Sequence, residues 1–139
     1  MTQEEELAKY MKLLEQYKEE MNQLETQSSY LQAAIADYNK AKITLEQLID
    51  KEKNSDVLLP IGGSTFIDAK VTETSKVLFD IGGGIVAEKT TEDAIKGIDK
   101  RIEDLQKSEE SLISMMQKLQ LEAMEISAKA QKLYAEQQK

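Results

Sequence analysis

Two long segments in which apolar residues recur every 3.5 positions flank a short glycine-rich middle, and this layout strongly limits the possible fold. Starting at Leu7 and stepping alternately by three and four residues to Ile49, 11 of 13 positions are apolar. The same stepping from Ile95 to Leu133 meets one polar residue, Glu109, in 12 positions. A repeat of this length predicts supercoiled helices with a narrow apolar seam, not the broad apolar face of a globular-domain helix.

Composition narrows the possible functions. The 139 residues carry a net charge of −8 and include a single arginine, Arg101, so neither nucleic acid nor an anionic membrane surface is an expected partner. Cysteine and histidine are absent, which removes thiolate chemistry and the commonest general base and metal ligand, and we expect no metal and no cofactor. No signal peptide or membrane-spanning run is visible, so a cytoplasmic protein is expected.

The fold class that these patterns predict is α+β and mostly α: one domain over residues 1–139, formed by a long antiparallel coiled-coil hairpin with two β-hairpins between its helices. The first helix is expected over about 2–54, because Thr2 and Glu5 have the spacing of a capping box. The second is expected over 90–139, where Thr90 and Asp93 repeat that spacing. Their similar lengths predict that both chain ends meet at one end of the coil.

The middle segment, residues 56–89, is predicted to form two β-hairpins. Ile67, Ala69 and Val71 alternate with polar residues, which is the period of a half-buried strand, and the glycine clusters 62–63 and 82–84 provide turns. Two isolated hairpins leave sheet edges unpaired and are only marginally stable. We therefore expect these strands to pair with β elements of other subunits.

Two features suggest enzymatic chemistry but have simpler interpretations. Gly82, Gly84 and Ala87 match the letters of a dinucleotide-binding loop, yet that loop must open a helix, whereas the residues after Gly84 read as a strand. A hairpin turn is therefore favoured. The carboxylate pair Glu109 and Glu110 lies on a predicted solvated helix with no apolar pocket to raise a pKa. We expect no enzymatic activity.

Polar residues interrupt the apolar seam at Ser28, Lys42 and Glu109. A polar group at such a position typically selects the helix register at some cost in stability. If the helices pair so that partner residue numbers total about 147, Tyr38 lies opposite Glu109 and can donate a hydrogen bond to it. This register is a hypothesis, and a neighbouring register displaced by one heptad is the alternative.

Apolar side chains gather where the two chain ends are expected to meet, a region here named the coil tip (residues 1–14 and 126–139). The simplest interpretation is coiled-coil core, which fits Leu7, Leu14 and Leu133 in particular. Met11, Leu13 and Tyr134 fall outside the strict seam, so apolar surface should remain exposed there as a binding surface. The predicted binding residues are Leu7, Tyr10, Met11, Leu13, Leu14, Ile126, Leu133 and Tyr134.

The arrangement of coil, two hairpins and coil resembles the alpha-class subunit of prefoldin, of the archaeal type. The resemblance covers essentially the whole chain, and its most specific parts are Val57-Leu58-Leu59-Pro60-Ile61-Gly62-Gly63 and the run from Lys76 to Lys89. These look like the family's "V-x-x-P-x-G" strand and its "V-x-x-D-x-G-x-G" pair of strands followed by "E-K". Two hairpins point to the alpha class, since beta-class subunits have one.

The resemblance implies an ATP-independent holdase chaperone. Two alpha and four beta-class subunits would join their hairpins in a double β-barrel, hold unfolded client proteins at the coil tips, and pass them to a group II chaperonin. The family's assembly residues map onto Val57, Leu59, Ile61, Phe66, Ile67, Val71, Val77, Phe79, Ile81, Ile85 and Val86. A structural coiled-coil adaptor or scaffold without holdase activity is the alternative, and a nucleotide-dependent enzyme is a third hypothesis that the glycines raise.

Overall fold

A computed structural model describes residues 2–138. Two long helices enclose four strands in the order α1 (Gln3–Ile49), β1 (Ser55–Gly62), β2 (Thr65–Val71), β3 (Lys76–Gly82), β4 (Ile85–Thr90) and α2 (Thr91–Gln137). The mostly helical α+β fold with two hairpins between the helices is confirmed. The chain divides into two compact units, one formed by the residues up to Ala34 with those from Leu105 onward, the other by Ile35–Asp104.

The helix starts follow the predicted caps, but the end of α1 does not follow the prediction. The amide of Glu5 donates to the Thr2 hydroxyl at 3.2 Å, and the amide of Asp93 donates to the Thr90 hydroxyl at 3.2 Å. Helix α1 was expected to reach residue 54 and ends at Ile49 instead. Asn54 adopts a left-handed φ of 64°, which an α-helix cannot accommodate, and its backbone amide donates to the Val71 carbonyl of β2 at 2.7 Å, so this residue belongs to the first hairpin.

Both hairpins are antiparallel and share one turn design. Strand β1 pairs with β2 and β3 with β4, each register shifting at the residue before the first glycine, Ile61 or Ile81. The two central turn residues have positive φ in both cases: 56° and 57° at Gly63 and Ser64, 61° and 77° at Gly83 and Gly84. Such turns match the right-handed twist of paired strands. The predicted hairpin turn at 82–84 is thus confirmed, since a strand and not a helix follows it.

In the unit formed by the two chain ends, α1 and α2 run antiparallel around a core that includes Leu24, Ser28, Ala130 and Leu133, all under 9% exposed. The predicted contact between Tyr38 and Glu109 is wrong. The Glu109 carboxylate accepts a hydrogen bond from the side-chain amide of Gln32 at 2.9 Å, and these two residue numbers total 141 rather than 147. The seam therefore pairs about one heptad away from the proposed register.

In the unit Ile35–Asp104, α2 carries the buried residues Ala94, Ile98 and Ile102. Lys42, the polar interruption in this part of the seam, contacts the Asp99 carboxylate at 2.7 Å, and that hydrogen bond raises the pKa of Lys42. The presence of glycine at position 97 of α2 is explained by its contact with β3. A Cβ at this position would lie 3.1 Å from the Phe79 ring, closer than ordinary van der Waals contact, so the glycine lets the ring of β3 lie directly on α2.

Candidate functional site

One side of the coil tip is an open apolar groove of about 560 Å³. Met11 and Tyr134 are 57% and 56% exposed there, although their side chains are large and apolar in character. Smaller and uncharged residues complete the lining, so no charge competes for the space. The groove is lined by Leu7, Met11, Leu14, Ser127, Ala130, Gln131 and Tyr134.

The opposite side of the coil tip has a different chemistry. Its groove, of about 340 Å³, brings together two acidic and two basic side chains: it is lined by Glu6, Tyr10, Lys129, Lys132, Leu133 and Glu136. Charged groups hold their hydration shells and resist burial by an apolar ligand. Only the first groove, here named the apolar groove, therefore suits an apolar partner.

The structure separates the eight predicted binding residues. Four of them line the apolar groove: Leu7, Met11, Leu14 and Tyr134. Tyr10 and Leu133 line the charged groove instead, and Leu133 is only 8% exposed, which makes it a core residue. Leu13 and Ile126 are half-buried.

Sequence reasoning missed Ser127, Ala130 and Gln131 because none of them is strongly apolar. The charge pattern of α2 could have identified them. Near the C-terminus, the residues directly after the seam positions are uncharged, whereas the residues directly before the seam positions are charged. That asymmetry identifies the side of the coil on which apolar surface stays free.

The strands provide a second exposed apolar surface. Most of the predicted assembly residues are exposed in the single chain, namely Leu59, Ile61, Phe66, Ile67, Ile81, Ile85 and Val86. Val57, Val71, Val77 and Phe79 are half-buried. Two residues outside the prediction, Leu58 and Leu78, are the most exposed apolar side chains of the strands, at 67% and 75%. Apolar exposure on both faces of a hairpin is typical of strands that a partner covers.

Arg101 joins β3 to the helices. Its guanidinium lies 4.4 Å from the centre of the Phe79 ring and 5.8 Å from that of Tyr38. It also donates hydrogen bonds to the backbone carbonyl of Asp80 and, at 3.5 Å, to the Tyr38 hydroxyl. One side chain thus contacts both helices of this unit and the second hairpin, and its planar, multidentate head suits this role better than lysine would.

We expect Arg101→Ala to destabilise the folded chain by about 2–3 kcal/mol, because it removes a cation–π contact and a charged hydrogen bond. Arg101→Lys should recover less than half of this loss. The matched control is Lys100→Ala, which removes an exposed pair with Asp104 at 2.9 Å and should cost under about 0.5 kcal/mol. Urea denaturation measures all three, and equal losses for Arg101→Ala and Lys100→Ala would contradict the assignment.

The turn between the hairpins is attached to the start of α2. The fully buried Thr91 donates its hydroxyl to the Thr74 carbonyl at 2.8 Å and its amide to the Ser75 carbonyl at 3.0 Å. Within the turn, the Glu73 carboxylate accepts hydrogen bonds from the Ser75 hydroxyl and amide. These bonds, with a smaller contribution from Lys53, lower the pKa of Glu73 to about 2.

This depressed pKa predicts a pH dependence of stability. A carboxylate whose pKa falls on folding stabilises the native state above its ordinary pKa of 4.5, and that contribution is lost as the pH falls towards 2. An NMR titration should give a Glu73 midpoint near 2. Ser75→Ala should raise the midpoint more than Lys53→Ala does, because the Ser75 hydroxyl bond is the larger cause. An unchanged midpoint in Ser75→Ala would refute this explanation.

Over residues 2–138, neither helix contains a stretch long and apolar enough to cross a membrane. Within the same residues, no group of three or more acidic side chains is arranged to hold a metal ion.

Comparisons with known proteins give one consistent family. Residues 17–136 match the family model for the prefoldin subunit. The chain is 30% identical over 139 residues to prefoldin subunit alpha of Archaeoglobus fulgidus, covering 100% of this chain and 99% of that protein. It is 27% identical over 135 residues to the subunit alpha of Methanocorpusculum labreanum, covering 97% and 92% of the two chains. A cryo-EM structure of filamentous PFD from Methanocaldococcus jannaschii aligns with a TM-score of 0.60 and 27% identity, over 90% of this chain and 98% of that one.

Proposed function

Because the chain belongs to the prefoldin subunit family, in its alpha class, we propose that it acts in an ATP-independent holdase. In this proposal the coil tip captures unfolded polypeptides, prevents their aggregation and passes them to a group II chaperonin. The observation that carries the proposal is the apolar groove, where Met11 and Tyr134 remain more than half exposed at the end of a coil. Exposed apolar surface of this kind usually marks a binding site.

The chemistry of the groove fits a variable, non-native partner. Methionine adapts its shape because its side chain is unbranched, and tyrosine offers an apolar ring with a polar edge. Burying a few such side chains yields only weak binding at roughly 25 cal/mol per Å², so one groove cannot hold a client for long. Several tips acting on one chain would supply the missing affinity through effective concentration.

Several tips can act on one client only if several subunits assemble. The exposed strands are the proposed contact between these subunits. We propose a heterohexamer of two alpha subunits with four beta-class subunits. The unpaired edges of the two hairpins and the exposed side chains on both of their faces support this arrangement. Neighbouring strands would cover apolar surface that a free subunit leaves in water.

The experiment that tests the holdase is a double substitution in the groove. In complexes assembled with a beta-class partner, Met11→Ser with Tyr134→Ser should raise the concentration needed for half-suppression of aggregation about threefold or more, because weak contacts are lost at every alpha tip. Light scattering of a chemically denatured client, diluted into the complex, measures this concentration.

The matched control makes the same chemical changes away from the coil tip. Ile43→Ser with Tyr30→Ser alters side chains that are 55% and 73% exposed, and suppression should stay as in wild type. Equal suppression by all three complexes would reject binding at the apolar groove. A wild-type complex that suppresses no aggregation would favour the structural adaptor.

A further inference from the structure

Beyond the coil tip, the apolar groove continues into an uncharged face of α2. Stepping alternately by four and three residues, this face consists of Ile113, Gln117, Gln120, Met124, Ser127, Gln131 and Tyr134, here named the neutral track. Each residue follows a seam position directly, so the track lies along one flank of the coil. Met124 is 61% exposed, Ile113 is 41% exposed, and the adjoining Leu121 is 68% exposed.

The other flank of the same helix is charged over most of this length. From Leu119 onward, the residues that directly precede the seam positions are all charged, whereas Ser111 and Met115, which precede Leu112 and Met116, are not; the charged residues are Lys118, Glu122, Glu125, Lys129, Lys132 and Glu136. On α1, the residues flanking the seam on the side of Met11 continue with the charged Lys18 and Glu25. Charged residues make up 32% of this chain, yet none lies on the neutral-track flank of α2 over the 22 positions from Ile113 to Tyr134. Charged and uncharged side chains are thus separated along the helix. The neutral track therefore belongs to α2 alone.

We propose that the neutral track is a docking surface for an extended, uncharged segment of an unfolded polypeptide, a proposal that rests on the holdase function above. Three of its seven residues are glutamines, whose amides both donate and accept hydrogen bonds. An unfolded segment presents unpaired backbone N–H and C=O groups that need such partners, together with apolar side chains for Ile113, Leu121 and Met124. Charged client segments would gain no ion pair from the seven residues of the track and would lose hydration.

The dimensions define the length of segment that fits. From Ile113 to Tyr134 the helix rises about 32 Å at roughly 1.5 Å per residue. An extended chain advances roughly 3.3 Å per residue, so about ten residues span the track and about three span the stretch from Ser127 to Tyr134 that it shares with the apolar groove. Ser127, Gln131 and Tyr134 belong to both surfaces, which makes the track a continuation of the groove.

The test compares two fluorescent peptides of alternating leucine and serine, three and ten residues long, binding to the complex assembled with a beta-class partner. Leu121→Ser with Met124→Ser should weaken binding of the ten-residue peptide on the order of tenfold and leave the three-residue peptide unchanged. The matched control, Met115→Ser with Tyr30→Ser, alters exposed apolar residues off the track, and both peptides should bind as to wild type. Fluorescence anisotropy measures these affinities.

Each alternative outcome is decisive. If the ten-residue peptide bound the Leu121 and Met124 variant with wild-type affinity, the proposed docking on the neutral track would be wrong. The proposed holdase function would still stand if the Met11 and Tyr134 variant lost suppression of aggregation. A change in the sedimenting mass of the assembly in the track variant would also overturn docking on the track, because the surface would then join copies of this chain. If the wild-type complex bound neither peptide and suppressed no aggregation, both proposals would fail.

Discussion

Deleting residues 1–14 and 126–139 is expected to abolish suppression of aggregation while leaving assembly intact. The deletion removes the whole apolar groove and the C-terminal part of the neutral track, from Ser127 to Tyr134. The remaining part, from Ile113 to Met124, rises about 17 Å and holds only about five extended residues. Binding that depends on several weak contacts at once then falls to background.

The deletion is measured by light scattering for holdase activity and by sedimentation for assembly. The control replaces two lysines of the charged groove and leaves the apolar groove intact. This variant, Lys129→Ser with Lys132→Ser, should keep suppression. Undiminished activity of the deleted complex would reject binding at the coil tip. Loss of assembly would contradict the placement of the assembly surface on the strands.

Association with a beta-class partner should be prevented by Leu58→Asp with Leu78→Asp. This double substitution places carboxylates at the two most exposed apolar positions of the strands. Burying an unpaired carboxylate costs about 3 kcal/mol or more, so two of them weaken association by well over a hundredfold. Both side chains are at least two-thirds exposed in the single chain, which means that its own fold should tolerate the change. Size-exclusion chromatography with light scattering measures the mass of the particle.

The control for this change is Leu58→Val with Leu78→Val, which retains apolar, strand-favouring side chains and should assemble. Circular dichroism at equal concentration establishes that the aspartate variant remains folded. A full-size complex from the folded aspartate variant would show that these positions lie outside the assembly surface.

The sequence predicted the elements well because their signals are local. Capping pairs at Thr2 and Thr90, the period-two strands and the glycine turns each depend on residues close together in the chain, and all of them are present in the structure. The end of α1 was less predictable. No proline or glycine stops the helix there, and the residues expected to extend it include Asn54, whose amide pairs instead with the distant Val71 of β2.

The register could not be predicted, because an apolar seam looks the same after a shift of seven residues. Glu109 meets Gln32 rather than Tyr38, and only three-dimensional packing distinguishes the two. The same limit applies to Arg101, Phe79 and Gly97, which lie apart in sequence and meet in space. The sidedness of the coil tip was readable in principle, since the charges of α2 flank one side of its seam.

The common turn design of the two hairpins has a consequence for how quickly the subunit becomes ready to assemble. Each hairpin closes between strands separated by two turn residues, and such closure takes on the order of 1–10 μs. Meeting another subunit at cellular concentrations is far slower, because docking two specific patches is limited by orientation. Hairpin closure is therefore fast compared with encounters, so we expect encounters between subunits to set the pace of assembly.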